Sequence, residues 1–306
     1  MWTILAVAVG PATTDLIINS TAYPGPVRPY IKGLIAGLKA KGHTIGTDYV
    51  VDYRQRPAAK LDASAFAGTK RVIFCMSTTV VHAAKTHSSG VPIVGIVSDP
   101  VEENFASVTH ICGVSANRFQ TADVCLQHFL QAVPSLTELQ VLHCLNNRPS
   151  QHAHDKAKPV ADNHQPRIDW QVIPVAATSD IAAGLQKLPK RAAASTATVG
   201  IFALPVDVNF GGAADIIAKQ NSKQIPAWFP TPDWVAQGAF GGYGASQETC
   251  GYAMAERVDY AIANGPSLPD PRWISIDPGA FEWFVSRRVA AALNIPLNGV
   301  PASHIR

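Results

Sequence analysis

The sequence predicts an α/β fold of two lobes, each built on a doubly wound parallel sheet. Three observations carry this expectation. Short β-branched runs alternate with segments of helical periodicity along the whole chain. Several runs are apolar throughout, as strands covered by helices on both faces must be. The 306 residues amount to roughly two domains of ~150 residues, and the strand-like runs are too many for one sheet of ordinary size.

The expected strands are Thr3–Val9, Tyr49–Tyr53, Arg71–Met76, Pro92–Val97, Leu139–Cys144, Ile168–Ile173, Thr198–Leu204, Ile225–Phe229 and Trp273–Ile276. The first helix is expected at Val27–Lys41, where Tyr30, Ile31, Leu34, Ile35 and Leu38 share one face and Gly42 ends the element. A second follows Ser77, a natural N-cap, over Thr78–His87. A third spans Ala116–Ala132, ahead of Pro134. A fourth covers Ser246–Ala263 and stops at Asn264-Gly265, and Phe281–Leu293 is expected as the closing helix.

Composition excludes several function classes. Charged residues are 15% of the chain and the net charge is +3, with no basic stripe interleaved with aromatics, so nucleic acid is not an expected partner. No apolar run approaches the ~20 residues of a membrane helix. The run Trp2–Val9 lacks a basic flank and reads as a strand, not an export signal. The five cysteines, Cys75, Cys112, Cys125, Cys144 and Cys250, form no C-x-x-C pair and read as buried free thiols. His143, His152, His154 and His164 read as surface histidines, because His152 and His154 do not share a helix face. No metal and no cofactor are expected. The stretch Gly238–Ser246 is Gly-rich but fits neither the dinucleotide fingerprint nor a P-loop, and reads as close packing or a hinge.

Ligands bind α/β sheets at the carboxyl ends of the strands. Ser77, Thr78 and Thr79 open a helix there, a setting that suits a carboxylate, or Ser77 simply caps the helix. Ser98 and Asp99 follow the next strand; Asp99 either meets an ammonium or hydroxyl group or caps the turn made by Pro100. Asn146 and Asn147, then Asp207 and Asn209, then Asp277, follow later strands. Five strand ends with small polar residues describe a site for a small polar molecule. Tyr23, Phe210 and Tyr243 are the aromatic candidates.

The stretch KGHTIGTDYVVDYR at 41–54 resembles a segment of the ABC transporter substrate-binding family that includes tryptophan/tyrosine-type binding proteins. Further pieces follow in that family's order: VPIVGIVSDPV at 91–101, THICGVS at 109–115, LQVLHCLNN at 139–147, IPAWFPTPDWVAQGAFGGYGAS at 225–246, GYAMAERV at 251–258 and LNIPLN at 293–298. The resemblance implies a type I periplasmic-binding-protein fold, two lobes joined by a three-crossing hinge near Ser115, Ala245 and Pro269. Lobe one would be 1–115 plus 246–268, and lobe two 116–245 plus 269–306. It implies ligand contacts from Ser77, Thr78, Thr79, Ser98, Asp99, Asn146, Asn147 and Asp207, with Tyr243 and Gly244 at the hinge. The start departs from the pattern: 10–24 is a long first loop, and Leu16–Ile18 competes for the first strand.

The function implied is a monomeric, non-catalytic trap for an amino acid or small carboxylate, aromatic ones included. Its ligand would pass to an ABC transporter permease, which places it in the periplasm. Two alternatives stand beside it. One is a cytoplasmic ligand sensor. The other is a cofactor-independent amino-acid racemase using Cys75 of FCMSTT, for which no second cysteine motif is present.

Overall fold

The computed structural model describes residues 14–21, 27–44, 47–56, 62–66, 72–87, 90–188, 190–191, 196, 198–265 and 267–306. The expected strand Thr3–Val9 lies outside the described residues. The strands are β1 (Thr14–Thr21), β2 (Tyr49–Arg56), β3 (Val72–Cys75), β4 (Ile93–Val97), β5 (Ile111–Ser115) and β6 (Glu138–His143). They continue as β7 (Asp169–Pro174), β8 (Val199–Ala203), β9 (Ala227–Phe229), β10 (Gly241–Gly244), β11 (Trp273–Ser275) and β12 (Glu282–Val285). The helices are α1 (Val27–Ala40), α2 (Thr78–His87), α3 (Ala122–Ala132), α4 (Arg148–Asn163) and α5 (Thr178–Gln186). After them come α6 (Asp207–Gly211), α7 (Ala213–Lys223), α8 (Gln247–Asn264) and α9 (Arg287–Ala292).

The described strands form two six-stranded sheets, ordered β2-β1-β3-β4-β5-β11 and β7-β6-β8-β9-β10-β12. Every pair in the first is parallel. In the second, β12 alone among the described strands runs antiparallel, against β10. Both sheets share one order: the second strand lies outside the first, and the third returns to its other side. The strand order therefore reverses at β1/β3 and at β6/β8.

The chain divides into two compact units. One holds the described residues up to Ser115 except Pro24–Pro26, together with Glu248–Ser275; the other holds Ala116–Gln247 and Ile276–Arg306. The third crossing falls after Ser275, not near Pro269, because Trp273, Ile274 and Ser275 pair with Gly113, Val114 and Ser115 and complete the first sheet.

Burial follows the parallel pattern. Each residue of β3 and of β4 is buried. In the first unit, α1 buries Leu34 and Leu38 completely. Its Gly33 lies so close to α8 that a Cβ there would stand 2.0 Å from the Glu248 carbonyl oxygen. In the second unit, Phe129 of α3 stacks on Trp228 of β9 with ring centroids 5.2 Å apart.

Two sequence expectations change, and the competing run near the start forms a strand. The first described strand is Thr14–Thr21, around the competing run Leu16–Ile18. The helix expected from Ala116 starts at Ala122, after Asn117 takes a left-handed φ of 48°. The closing helix Phe281–Leu293 splits into β12 and α9: Trp283 and Phe284 go to opposite sides of a strand, and the Ser286 hydroxyl then caps α9 by accepting from Val289 N–H at 3.3 Å.

His143 is also not a surface residue. It is 2% exposed on β6, an interior strand next to the edge strand β7. Its ring stacks on His154 of α4 at 4.8 Å, and His154 meets the edge of Trp170 of β7 at 5.6 Å. Burial first, and His154 second, hold the His143 imidazole below its ordinary 6.5, while Asp155 pulls the other way.

Two predictions follow from this packing. Gly33→Ala forces α1 and α8 apart and lowers unfolding free energy by roughly 1–3 kcal/mol in urea titration. A depressed histidine contributes stability that is present above its ordinary value and lost as pH falls through the folded value. Stability therefore declines below pH 6.5, and His143→Phe, which keeps the stacked ring, flattens that decline in melting curves recorded between about pH 7 and 5.

Candidate ligand-binding site

In an open α/β sheet the crevice for a ligand opens where the strand order reverses, beyond the carboxyl ends of the strands. In the first unit that edge is β1/β3, and the residues after β3 and β4 sit on it. Ser77 is buried, and its hydroxyl accepts from Val80 N–H at 3.4 Å, so it caps α2. Thr78 and Thr79 form the first turn of α2. The Thr78 hydroxyl accepts from Ser98 N–H at 3.4 Å, which ties the ends of β3 and β4 together. Ser115, at the end of β5, donates its hydroxyl to the Ser98 carbonyl at 2.9 Å. Three adjacent strand ends thus present hydroxyls beside the positive end of a ten-residue helix. Asp99 Oδ1 accepts from Val101 N–H at 2.8 Å and Glu102 N–H at 3.3 Å, the turn-capping reading.

In the second unit the reversal lies at β6/β8. Asn147 caps α4, its side chain accepting from Ser150 N–H at 2.9 Å. The Ser150 hydroxyl in turn accepts from Cys144 N–H at 3.1 Å, which fixes the chain as it leaves β6. Asn146 is exposed and lines a hollow of about 480 Å³ with Cys144, Leu145, Pro174 and Val175, at the ends of β6 and β7.

Asn209 behaves differently from its expected role. It is 1% exposed. Its amide donates to the Leu142 carbonyl at 3.0 Å and to the Leu204 carbonyl at 2.8 Å. Because both partners are carbonyls, the amide cannot be reversed. Asn209 is a cross-brace between the ends of β6 and β8, buried beneath the edge where a ligand would sit. Asp207 opens α6 beside it, but its side chain, like the whole of Tyr23, lies outside the described residues.

Tyr243 belongs to the core of the second unit. It is 8% exposed, and its ring meets His128 at 4.9 Å and Phe281 at 5.7 Å. Gly244 next to it has a φ of 146°, and a Cβ there would lie 2.5 Å from the Pro230 carbonyl oxygen. The Gly-rich stretch is therefore a buried, closely packed strand. Phe210 is partly buried, with the Arg118 guanidinium 5.4 Å from its ring centroid. Asp277 is exposed and caps the turn after the third crossing, accepting from Gly279 N–H at 2.8 Å.

Cys75 is fully buried in β3, and burial pushes its thiol well above the ordinary range. Cys112 and Cys125 are likewise pushed up to about 12 by burial. None is poised as a thiolate at neutral pH. Sequence reasoning gave Ser115 only as a hinge crossing; its hydroxyl bond to the Ser98 carbonyl is a tertiary contact that no local pattern reveals.

A family model described as ABC transporter substrate binding protein matches residues 26–279. No curated protein matches the chain. Among solved structures, a conserved domain protein from Vibrio cholerae O1 biovar El Tor has a TM-score of 0.74 at 18% identity, covering 95% of this chain and 97% of that one. The ABC domain from Streptococcus pneumoniae in complex with L-Trp also scores 0.74, at 14% identity, with 95% and 97% covered. The ligand-free, open substrate-binding protein CD0873 from Clostridium difficile scores 0.58 at 18% identity, covering 96% and 98%. At these identities the likeness shows the fold, that of the periplasmic binding proteins. The family model spans most of the sequence, and the chain belongs to the ABC transporter substrate-binding protein family.

Proposed function

We propose that this member of a solute-binding family takes an amino acid or another small carboxylate, and releases it unchanged to an ABC transporter permease. The observation that carries the reading is the opening of α2 by Ser77, Thr78 and Thr79 at the strand reversal of the first sheet. Hydroxyls and a helix N-terminus together favour an anion, and each hydrogen bond to a charged group contributes about 1.5–3 kcal/mol. In the second unit, Asn146 follows β6 and Asp207 follows β8, strand-end positions where a side chain can meet an ammonium or hydroxyl group. A structural relative in complex with L-Trp supports an aromatic amino acid as the first ligand to test.

No chemistry on the ligand is needed. Racemisation would require a thiolate, and the buried Cys75 thiol holds its proton instead. The working place is outside the cytoplasm, as is typical of the family, and the working form is a monomer.

A thermal-shift panel of L-tryptophan, L-tyrosine, other amino acids, their carboxamides and arabinose tests the ligand class. A ligand held only by the folded state at one hundred times its dissociation constant adds about 2.7 kcal/mol of stability. Amino acids with a free carboxylate should raise the melting temperature and their amides should do so much less; a rise with arabinose alone would overturn the reading. Ser77→Ala combined with Thr79→Ala should weaken L-tryptophan about tenfold or more in calorimetry and its amide less, since about 1.4 kcal/mol of a charged hydrogen bond is a factor of ten. Asp207→Ala should weaken L-tryptophan by about 1 kcal/mol or more; an unchanged dissociation constant removes Asp207 from the site.

A further inference from the structure

We infer that Arg118 and Asp233 form a clamp that fixes, inside the second unit, two of the three chain segments through which it joins the first, and that this clamp raises ligand affinity without touching the ligand. The chain enters the second unit at Ala116 and leaves it again at Gln247. Both segments carry backbone that few residues adopt, with φ of 48° at Asn117 and 146° at Gly244. Glycine takes such a φ without strain and asparagine tolerates the left-handed region, so what fixes these segments is the set of groups that bind them.

The groups that hold them are visible. Arg118 Nη2 donates to the Ala245 carbonyl at 3.3 Å, so the entering segment grips the leaving one. The same guanidinium lies over the Phe210 ring, 5.4 Å from its centroid, which fixes its plane. Asp233 Oδ2 accepts from Gln247 N–H at 2.9 Å, the first residue of α8. The fully buried Thr231 hydroxyl also donates to Asp233 Oδ2. That hydroxyl is 3.3 Å from the Ala245 carbonyl as well, and its single proton serves one acceptor at a time. Burial disfavours the Asp233 charge, while Thr231, Gln247 N–H and Arg118 all favour it. The polar groups around Asp233 Oδ2 thus converge on the leaving segment. Both residues act as positioning residues.

A segment held at one end transmits the ligand's contacts into a defined backbone instead of dissipating them as disorder, so loosening it reduces affinity. The affinity arm rests on the amino-acid reading above; the exchange arm does not. Amide hydrogen exchange on the free full chain is the first readout. Asp233→Ala should speed exchange of residues 245–247 at least tenfold while β8 at 199–203 stays protected. Asp233→Asn, whose amide oxygen still accepts from Gln247 N–H, should retain the protection. Arg118→Met should speed exchange at 116–119 and at 245–247. With L-tryptophan as probe, Arg118→Met and Asp233→Ala should each raise the dissociation constant three- to tenfold, and Asp233→Asn by less than Asp233→Ala. Unchanged exchange at 245–247, or acceleration spread evenly over the second unit, would overturn the clamp. Unchanged affinity in both variants, with local exchange accelerated, would overturn its role in binding. A wild-type chain that binds no L-tryptophan overturns the amino-acid reading and this role with it, while the exchange result alone decides the clamp.

Discussion

A parallel strand covered by helices on both faces can offer polar groups only at its ends. That constraint organises this protein. β3 and β4 are buried at every position, and so are Leu139–His143 of β6, whose Gln140 and His143 are the polar exceptions. Their hydrogen-bonding chemistry is exported to the residues immediately after them: Ser77 to Thr79, Ser98 and Asp99, Asn146 and Asn147. The strand order reverses at β1/β3 and at β6/β8, the positions where open α/β sheets generally take their ligands.

The same constraint decides what could be read from sequence. Fully apolar runs such as those of β3, β4 and β8 announce themselves, and so does the stripe of Tyr30, Leu34 and Leu38 on α1. Strands with a weaker apolar signal do not. β5 is Ile-Cys-Gly-Val-Ser, short and interrupted by Gly113. β10 is three glycines and a tyrosine, strand by packing against Trp228, Thr231 and Pro230 instead of by propensity. β12 lies in an aromatic segment whose spacing also fits a helix, and its pairing with β10 decides the matter. At the amino end two apolar runs compete, and β1 falls on Leu16–Ile18.

The site was legible only in part, because a small polar side chain at a strand end serves the backbone before it serves a ligand. Ser77 and Asn147 cap helices, and Asp99 and Asp277 cap turns. Capping and binding are compatible where a group has spare acceptor or donor capacity, as a carboxylate or hydroxyl has. Asn209 has gone further. Both amide hydrogens are committed to strand carbonyls, and its burial is a tertiary fact that no local pattern reveals. Tyr243 looked equally available and instead stacks within the second unit's core. Histidine misled in the opposite sense: polarity in sequence concealed the buried stack of His143 on His154.

The proposed ligand class depends on the polar groups at the carboxyl ends of the strands. The most direct measurement is a backbone amide spectrum of the isotopically labelled protein, recorded while L-tryptophan is added. The account predicts that the largest shifts fall on residues 77–80 and 98–99 in the first unit and on 145–148 and 206–208 in the second. Shifts concentrated at the amino ends of the strands, or along the outer faces of the helices, would contradict it.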